Sequence, residues 1–193
     1  MFGSKVSGKL LRMNRRRMNP LHHQTRDFKL KCAHHVVFKC HYRVFSQVQI
    51  RQMADSILLK YGEYFRVKIY HRAIVGDHIH LLVLPKSSSG LHGFLRVVTG
   101  QLGMRLKRLG ITPKGKSLWV FRPWSRVLSW GRDVTTAIHY IALNYLEGQG
   151  KLRRTHKQDE LKKNAVLIHE VLEKQLTKLT SEHRTIQFSM GFA

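Results

Sequence analysis

The apolar positions of this chain alternate between two periods, one of two residues and one of three to four, and the alternation reads as a sequence of elements. Residues 33–44 read as a strand, with Val36, Val37 and Phe38 at its heart. Ile50, Met53, Ala54, Ile57, Leu58 and Tyr61 then recur at helical spacing, with Ser46 placed to cap the helix and Gly62 to stop it. Phe65, Val67 and Ile69 alternate in a second strand that runs to Val75. The dipeptide Gly76-Asp77 makes a tight turn, and His78 to Leu84 returns as its hairpin partner. Beyond a linker of Ser87, Ser88, Ser89 and Gly90, a second helix runs through Leu91, Phe94, Leu95, Val98, Leu102 and Leu106. Leu118 to Phe121 and Arg126 to Leu128 form a fourth strand, broken near Pro123. Asp133 opens a third helix that ends near Gly148, and residues 159–180 carry the spacing of a last amphipathic helix.

The order β-α-β-β-α-β predicts an α+β protein: a ferredoxin-like antiparallel sheet, a tyrosine-bearing helix and a C-terminal helix. Three segments are expected: a basic flexible arm over 1–30, a core domain over 31–150 and a helical extension over 151–193. That fold serves RNA-recognition modules, regulatory domains and nucleases alike, so function must come from the residues it carries. The aromatic run of an RNA-recognition motif is missing, because the corresponding strand carries His-x-His.

Charge narrows the partner. The net formal charge is +24, and it is unevenly spread: residues 1–158 hold 30 Lys/Arg against 6 Asp/Glu, while residues 159–193 hold 5 of each. Such a field draws polyanions and makes their binding salt-sensitive. Basic residues of the N-terminal arm, among them Arg15, Arg16 and Arg17, have no apolar stretch behind them, which argues against a secretory signal. No run is apolar and long enough to span a membrane. Cys32 and Cys40, eight apart on one extended segment, are too distant to bridge each other, and a reducing cytosol is the expected compartment.

Candidate chemistry begins at the hairpin. Strand geometry sends His78 and His80 to one face and Ile79 to the other, so two imidazoles make a bidentate seat for a divalent metal. With 13 histidines in 193 residues, about one His-x-His is expected by chance, so the surroundings must carry the reading. They do so on the third helix. At 100° per residue, Val134, Ala137, Ile138, Ile141 and Tyr145 fall within about 60° of one direction, a core stripe. Tyr140 and Asn144 stack one turn apart on its flank, which puts the Tyr140 hydroxyl in reach of a cleft. A phenol can attack phosphorus if a cation polarises the phosphate, and Asn144 offers a third ligand oxygen.

These residues resemble a known family. The run Gly76-Asp77-His78-Ile79-His80-Leu81-Leu82-Val83 is similar to the His-apolar-His motif of the single-tyrosine HUH transposases. Tyr140-Ile141-Ala142-Leu143-Asn144 resembles their tyrosine helix, above all that of REP-associated tyrosine transposases. Trp119 to Arg126 and Leu146-Glu147-Gly148 look like one branch of that group. The resemblance covers residues 31 to 150. It implies Mg²⁺ or Mn²⁺ held by His78, His80 and Asn144. It implies attack by Tyr140 on a phosphodiester of single-stranded or hairpin DNA, leaving a 5′-phosphotyrosine link and a free 3′-hydroxyl that can later rejoin strands. It further implies a cytoplasmic, nucleoid-bound bacterial protein, as a monomer or as a homodimer that gives its tyrosine in trans. Tyr145 stands where a proline is typical, and the tail beyond Asp159 exceeds a minimal core.

Arg122, Arg126 and Arg132 bracket the site in sequence and are the expected phosphate contacts, with Arg15, Arg16 and Arg17 on the arm. Trp119, Trp124 and Trp130 are candidates to stack bases, with core packing expected for Trp119. His34 and His35 point to opposite faces, and one of them can approach the site. Two other readings keep the fold and charge: a domesticated relative that binds hairpin DNA or RNA without cutting it, and a structural RNA binder.

Overall fold

The computed structural model describes residues 28–112, 115–152 and 166–170. Seven elements follow in order: β1 (Ala33–Lys39), α1 (Val48–Tyr64), β2 (Val67–Val75), β3 (His78–Pro85), α2 (Ser88–Arg108), β4 (Trp124–Leu128) and α3 (Arg132–Gly148). The four strands form one sheet in the order β2-β3-β1-β4, every neighbouring pair antiparallel, as a ferredoxin-like arrangement requires. The strand that begins the described chain thus becomes a central one, between the hairpin and the late edge strand.

The pleat sorts the residues of the sheet between its two faces. Val36, Phe38, Ile79, Leu81 and Val83 point to the side covered by α1 and α2, where they meet Leu58, Leu91, Phe94 and Leu102 in a continuous apolar core. Ala33, Ala73, Val75, Leu82 and Leu128 point to the other side and pack against Val134, Ala137, Ile138 and Ile141 of α3. On that second face, β1 also presents His35, Val37 and Lys39, opposite Leu82, His80 and His78 of β3.

Several boundaries move from their expected places, each for a local reason. The first strand ends at Lys39, because the chain beyond it turns to bridge elsewhere: Cys40 pairs with Trp119, and Phe45 with Gly76. Ser46 does not cap α1; the cap position is Gln47, which makes no side-chain bond. Gly62 does not stop that helix. It lies inside α1, where an added Cβ would come within 3.0 Å of the Ile69 side chain and 3.1 Å of the Val67 carbonyl, so its role is close approach to β2. The serine linker is the first turn of α2: Ser87 caps it by accepting from the Gly90 amide at 3.0 Å. The fourth strand is broken as expected, with Trp119 bridging Cys40 before the break and β4 pairing with β1 after it.

Tyr145 was expected in the core stripe and is instead 40% exposed. The last turn of α3 lies over β2, and among the described residues β2 is the edge strand of the sheet. Residues 166–170 are helical, in line with a last helix, and Ile168 packs against the α3 side of the core. Arg15, Arg16 and Arg17, and most of the segment 151–193, lie outside the described residues. Among the described residues, no helix is long and apolar enough to cross a membrane. Both cysteines are free thiols; burial chiefly, then the Asp77 charge, pushes the Cys40 thiol up to about 12, which removes it as a nucleophile.

Candidate active site

The site is built where the hairpin turn, the far end of β1 and the middle of α3 meet. Gly76 adopts φ +51°, a conformation that glycine accepts without strain, and so closes the hairpin directly before His78. Two main-chain bonds hold this turn from outside the hairpin: the Cys40 amide donates to the Asp77 carbonyl at 2.7 Å, and the Phe45 amide to the Gly76 carbonyl at 2.8 Å. His78 and His80 therefore emerge from a fixed corner, on one face as the alternation requires, their rings 4.6 Å apart and nearly perpendicular.

The tyrosine helix reaches this corner through a close contact. Gly148 sits against β2 so tightly that a Cβ there would lie 1.9 Å from Val75 Cγ1. With its last turn pressed onto the sheet, α3 brings Asn144 and Tyr140 over the histidines. The Tyr140 ring lies 5.1 Å from the His80 ring, edge to face. Asn144 is 4% exposed, and its amide is oriented by its own helix: Nδ2 donates to the Tyr140 carbonyl at 2.7 Å. That turns Oδ1 toward His78, whose Nε2 is 3.4 Å away.

Protons can be assigned from the partners. Nδ1 of His78 lies 2.7 Å from an Asp77 carboxylate oxygen, which can only accept, so Nδ1 donates. In the neutral ring, Nε2 then carries a lone pair and faces another acceptor, the Asn144 oxygen. Either a proton on Nε2, donated to the amide oxygen, or a cation between the two atoms makes this contact favourable. Burial works to raise the Asp77 carboxyl, but its bonds from Lys39, at 2.5 Å, and from His78 outweigh that and hold it below the usual range.

His35 is the residue whose role the sequence leaves undecided. It enters the site: its ring stacks on His80 at 5.4 Å, with Nε2 3.2 Å from His80 Nδ1, and it touches Tyr140 edge-on at 5.9 Å. Burial first, and the charge of Arg126 across the strand pair second, lower its pKa from 6.5 to about 4, so it is neutral at physiological pH. His34 points the other way, is fully buried and packs against Phe28. The signal for His35 lay in register: it stands two residues before Val37, the partner of His80. Asp77 and Lys39 were also unforeseen as a pair, and only the fold brings them together.

Of the expected phosphate contacts, Arg126 lies on β4 on the same face as His35, with its guanidinium 3.7 Å from Asp133. Arg122 is exposed just before β4, and Arg132 is exposed in the first turn of α3. Among the described residues no cluster of three or more His, Cys, Asp or Glu side chains is suited to a metal. A cation here would therefore rest on two imidazoles and an amide.

Four antiparallel strands in ferredoxin-like order, a His-x-His strand and a tyrosine helix above it make the arrangement that the sequence resemblance implies. The family model for IS200-like transposases matches residues 28–142, well over half of the chain, and the protein belongs to that family. Among solved structures, it is similar to a REP-associated tyrosine transposase bound to a REP hairpin. That likeness has a TM-score of 0.55 and 16% identity, and covers 68% of this chain and 76% of the other. It also resembles the crystal structure of a presumed transposase from Deinococcus radiodurans R1, with a TM-score of 0.43 and 19% identity over 63% of this chain and 97% of the other. No curated protein matches the sequence.

Proposed function

We propose that this member of the family is a metal-dependent nuclease and strand-transferase acting on single-stranded DNA at hairpin sites, with Tyr140 as its nucleophile. The observation that carries the reading is the convergence of Tyr140 and Asn144 from α3 on His78 and His80 from β3, residues some sixty positions apart in the chain. Two imidazole nitrogens and an amide oxygen can hold a divalent cation, and the family resemblance implies Mg²⁺ or Mn²⁺. Two ligands of an octahedral cation at about 2.1 Å sit roughly 3 Å apart when adjacent. The facing acceptors of His78 and Asn144 stand at 3.4 Å, near that spacing. Asp77 behind His78 and His35 behind His80 are the partners that orient imidazole ligands. When bound, the cation polarises the scissile phosphate and offsets its charge.

The chain's own residues supply the rest. His78 offers Nε2 because its Nδ1–H is given to Asp77. His80 can offer Nε2 when its Nδ1–H is given to neutral His35. Tyr140 Oη forms a bond to phosphorus while the bond from phosphorus to the 3′-oxygen breaks, leaving a 5′-phosphotyrosine link and a 3′-hydroxyl. The phenol loses its proton as the leaving oxygen gains one, so the exchange is balanced and reversible. A later 3′-hydroxyl can attack the link and restore the phosphodiester, with no external energy source. In this reading Arg126, Arg122 and Arg132 hold strand phosphates.

The test is direct. The wild-type protein incubated with single-stranded hairpin DNA and Mn²⁺ should give a covalent protein–DNA band on a denaturing gel, lost in Tyr140→Phe and in His78→Ala. Persistence of the band in Tyr140→Phe would remove Tyr140 from the role, and no band from the wild type would leave a hairpin binder.

A further inference from the structure

The three tryptophans differ in what they have left to offer. Trp119 donates its indole N–H to the Thr99 carbonyl at 3.2 Å and packs against Phe38. Trp130 donates to the Lys31 carbonyl at 2.9 Å and meets Tyr70 edge-on. Both are engaged by the scaffold. Trp124, the first residue of β4, is 39% exposed. Its register partner is Val37, so it stands on the face of the sheet that carries His35 and His80. It touches that group directly: its ring meets the His35 ring edge-on at 5.7 Å.

A large exposed aromatic ring at the lip of a polar site has an energetic cost in water that a stacking partner would relieve. The surroundings select the partner. Arg126, two residues on and on the same face, has a side chain 56% exposed, and Arg122 is exposed just ahead of the strand. Cations beside an aromatic platform suit a polyanion with flat, apolar bases. Trp124 is linked to Tyr140 through His35, by ring separations of 5.7 and 5.9 Å, so the two rings lie within about 12 Å, a span that a few nucleotides of one strand cover.

We infer that Trp124 is a nucleobase-stacking platform for the single DNA strand entering the site, holding a base a few nucleotides or fewer from the phosphate presented to Tyr140. The inference rests on the reading that a single strand crosses this site, and it adds the residue that grips a base rather than the backbone. The role is sequence-tolerant, because every base has a flat face to offer.

The experiment needs neither cleavage nor metal. Affinities of the full-length protein for a 20-mer of thymidine and for a 20-mer of abasic deoxyribose are compared by fluorescence anisotropy at one fixed salt concentration, in EDTA. Wild type should favour the base-bearing strand by roughly tenfold, within the range for one stacked base. Trp124→Ala and Trp124→Leu should lose most of that preference while binding the abasic strand as wild type does; Trp124→Phe should keep much of it. Trp130→Phe should keep it entirely. Loss of affinity for both strands alike in Trp124→Ala and Trp124→Leu would reduce Trp124 to a scaffold residue, and an unchanged preference would overturn the platform outright. Because no bond is cut, these outcomes stand apart from the fate of Tyr140 as nucleophile.

Discussion

One sheet has two faces, and they are used differently. Toward α1 and α2 it is mostly apolar: Val36, Phe38, Ile79, Leu81 and Val83 pack into a single core, with buried His34 at one end of β1 and Arg72 of the edge strand paired with Asp55 of α1. Toward α3 it is mixed: Ala33, Ala73, Val75, Leu82 and Leu128 meet the helix, and between them His35, His78 and His80 gather beneath Tyr140 and Asn144. The difference teaches how a small α+β domain can carry buried imidazoles. The first face secures the fold, so the second can hold groups that would be costly in a core asked to do both.

The sharpest way to break that comparison is to truncate one side chain on each face. Phe38→Ala should cost about 3–5 kcal/mol, the usual penalty for emptying a buried aromatic site. His78→Ala should leave the thermal midpoint within a few degrees while abolishing covalent DNA capture. Thermal denaturation followed by circular dichroism reads both, and equal destabilisation by the two would erase the division of labour.

A second probe uses pH. His35 has a folded pKa of about 4 against 6.5 unfolded. Between those values the unfolded chain binds the extra proton, so this contribution is complete above about pH 6.5 and is lost as pH falls toward 4, by up to about 3 kcal/mol. The depressed Asp77 carboxyl acts in the same direction at still lower pH, its share fading as pH drops through its folded value. His35→Gln should flatten the decline between pH 6.5 and 4, as measured by urea unfolding across that range. A decline of unaltered steepness would place the titration elsewhere.

The smallest effect sharpens the link between helix and sheet. Gly148→Ala drives a methyl into Val75, a stiff β-branched side chain, and should cost about 1–3 kcal/mol while weakening Mn²⁺ binding by shifting Asn144 from His78. Val75→Ala in the same chain should recover most of both. Calorimetry of Mn²⁺ binding to the single and double variants decides, and an undisturbed affinity in Gly148→Ala would mean that the contact does not set the site.

Much of this was legible in the residues. Element order followed from period, and the facing of His78 and His80 from the pleat and the Gly76-Asp77 turn. Tyr140 and Asn144 were found on the flank of their helix by angle alone. What escaped depended on the partner an element would meet. His34 and His35 look equivalent until one knows which face α3 covers. Gly62 looks like a terminator until β2 is seen pressing on it. Tyr145 sits in the middle of its stripe by angle, yet its packing leaves it 40% exposed. Trp119 was expected in the core, but Trp124 and Trp130 could be told apart only once Trp130 had found a carbonyl partner.

The stitching of the hairpin tip has a further consequence. The bonds from the Cys40 and Phe45 amides to the carbonyls of Asp77 and Gly76 belong to the main chain, so among ordinary substitutions at 40 and 45 only proline deletes a donor outright. The corner from which both imidazoles emerge is thereby insulated from most sequence drift around it. Over evolutionary time the walls of the pocket can be rewritten for new targets while the anchor point of its histidines stays where it is.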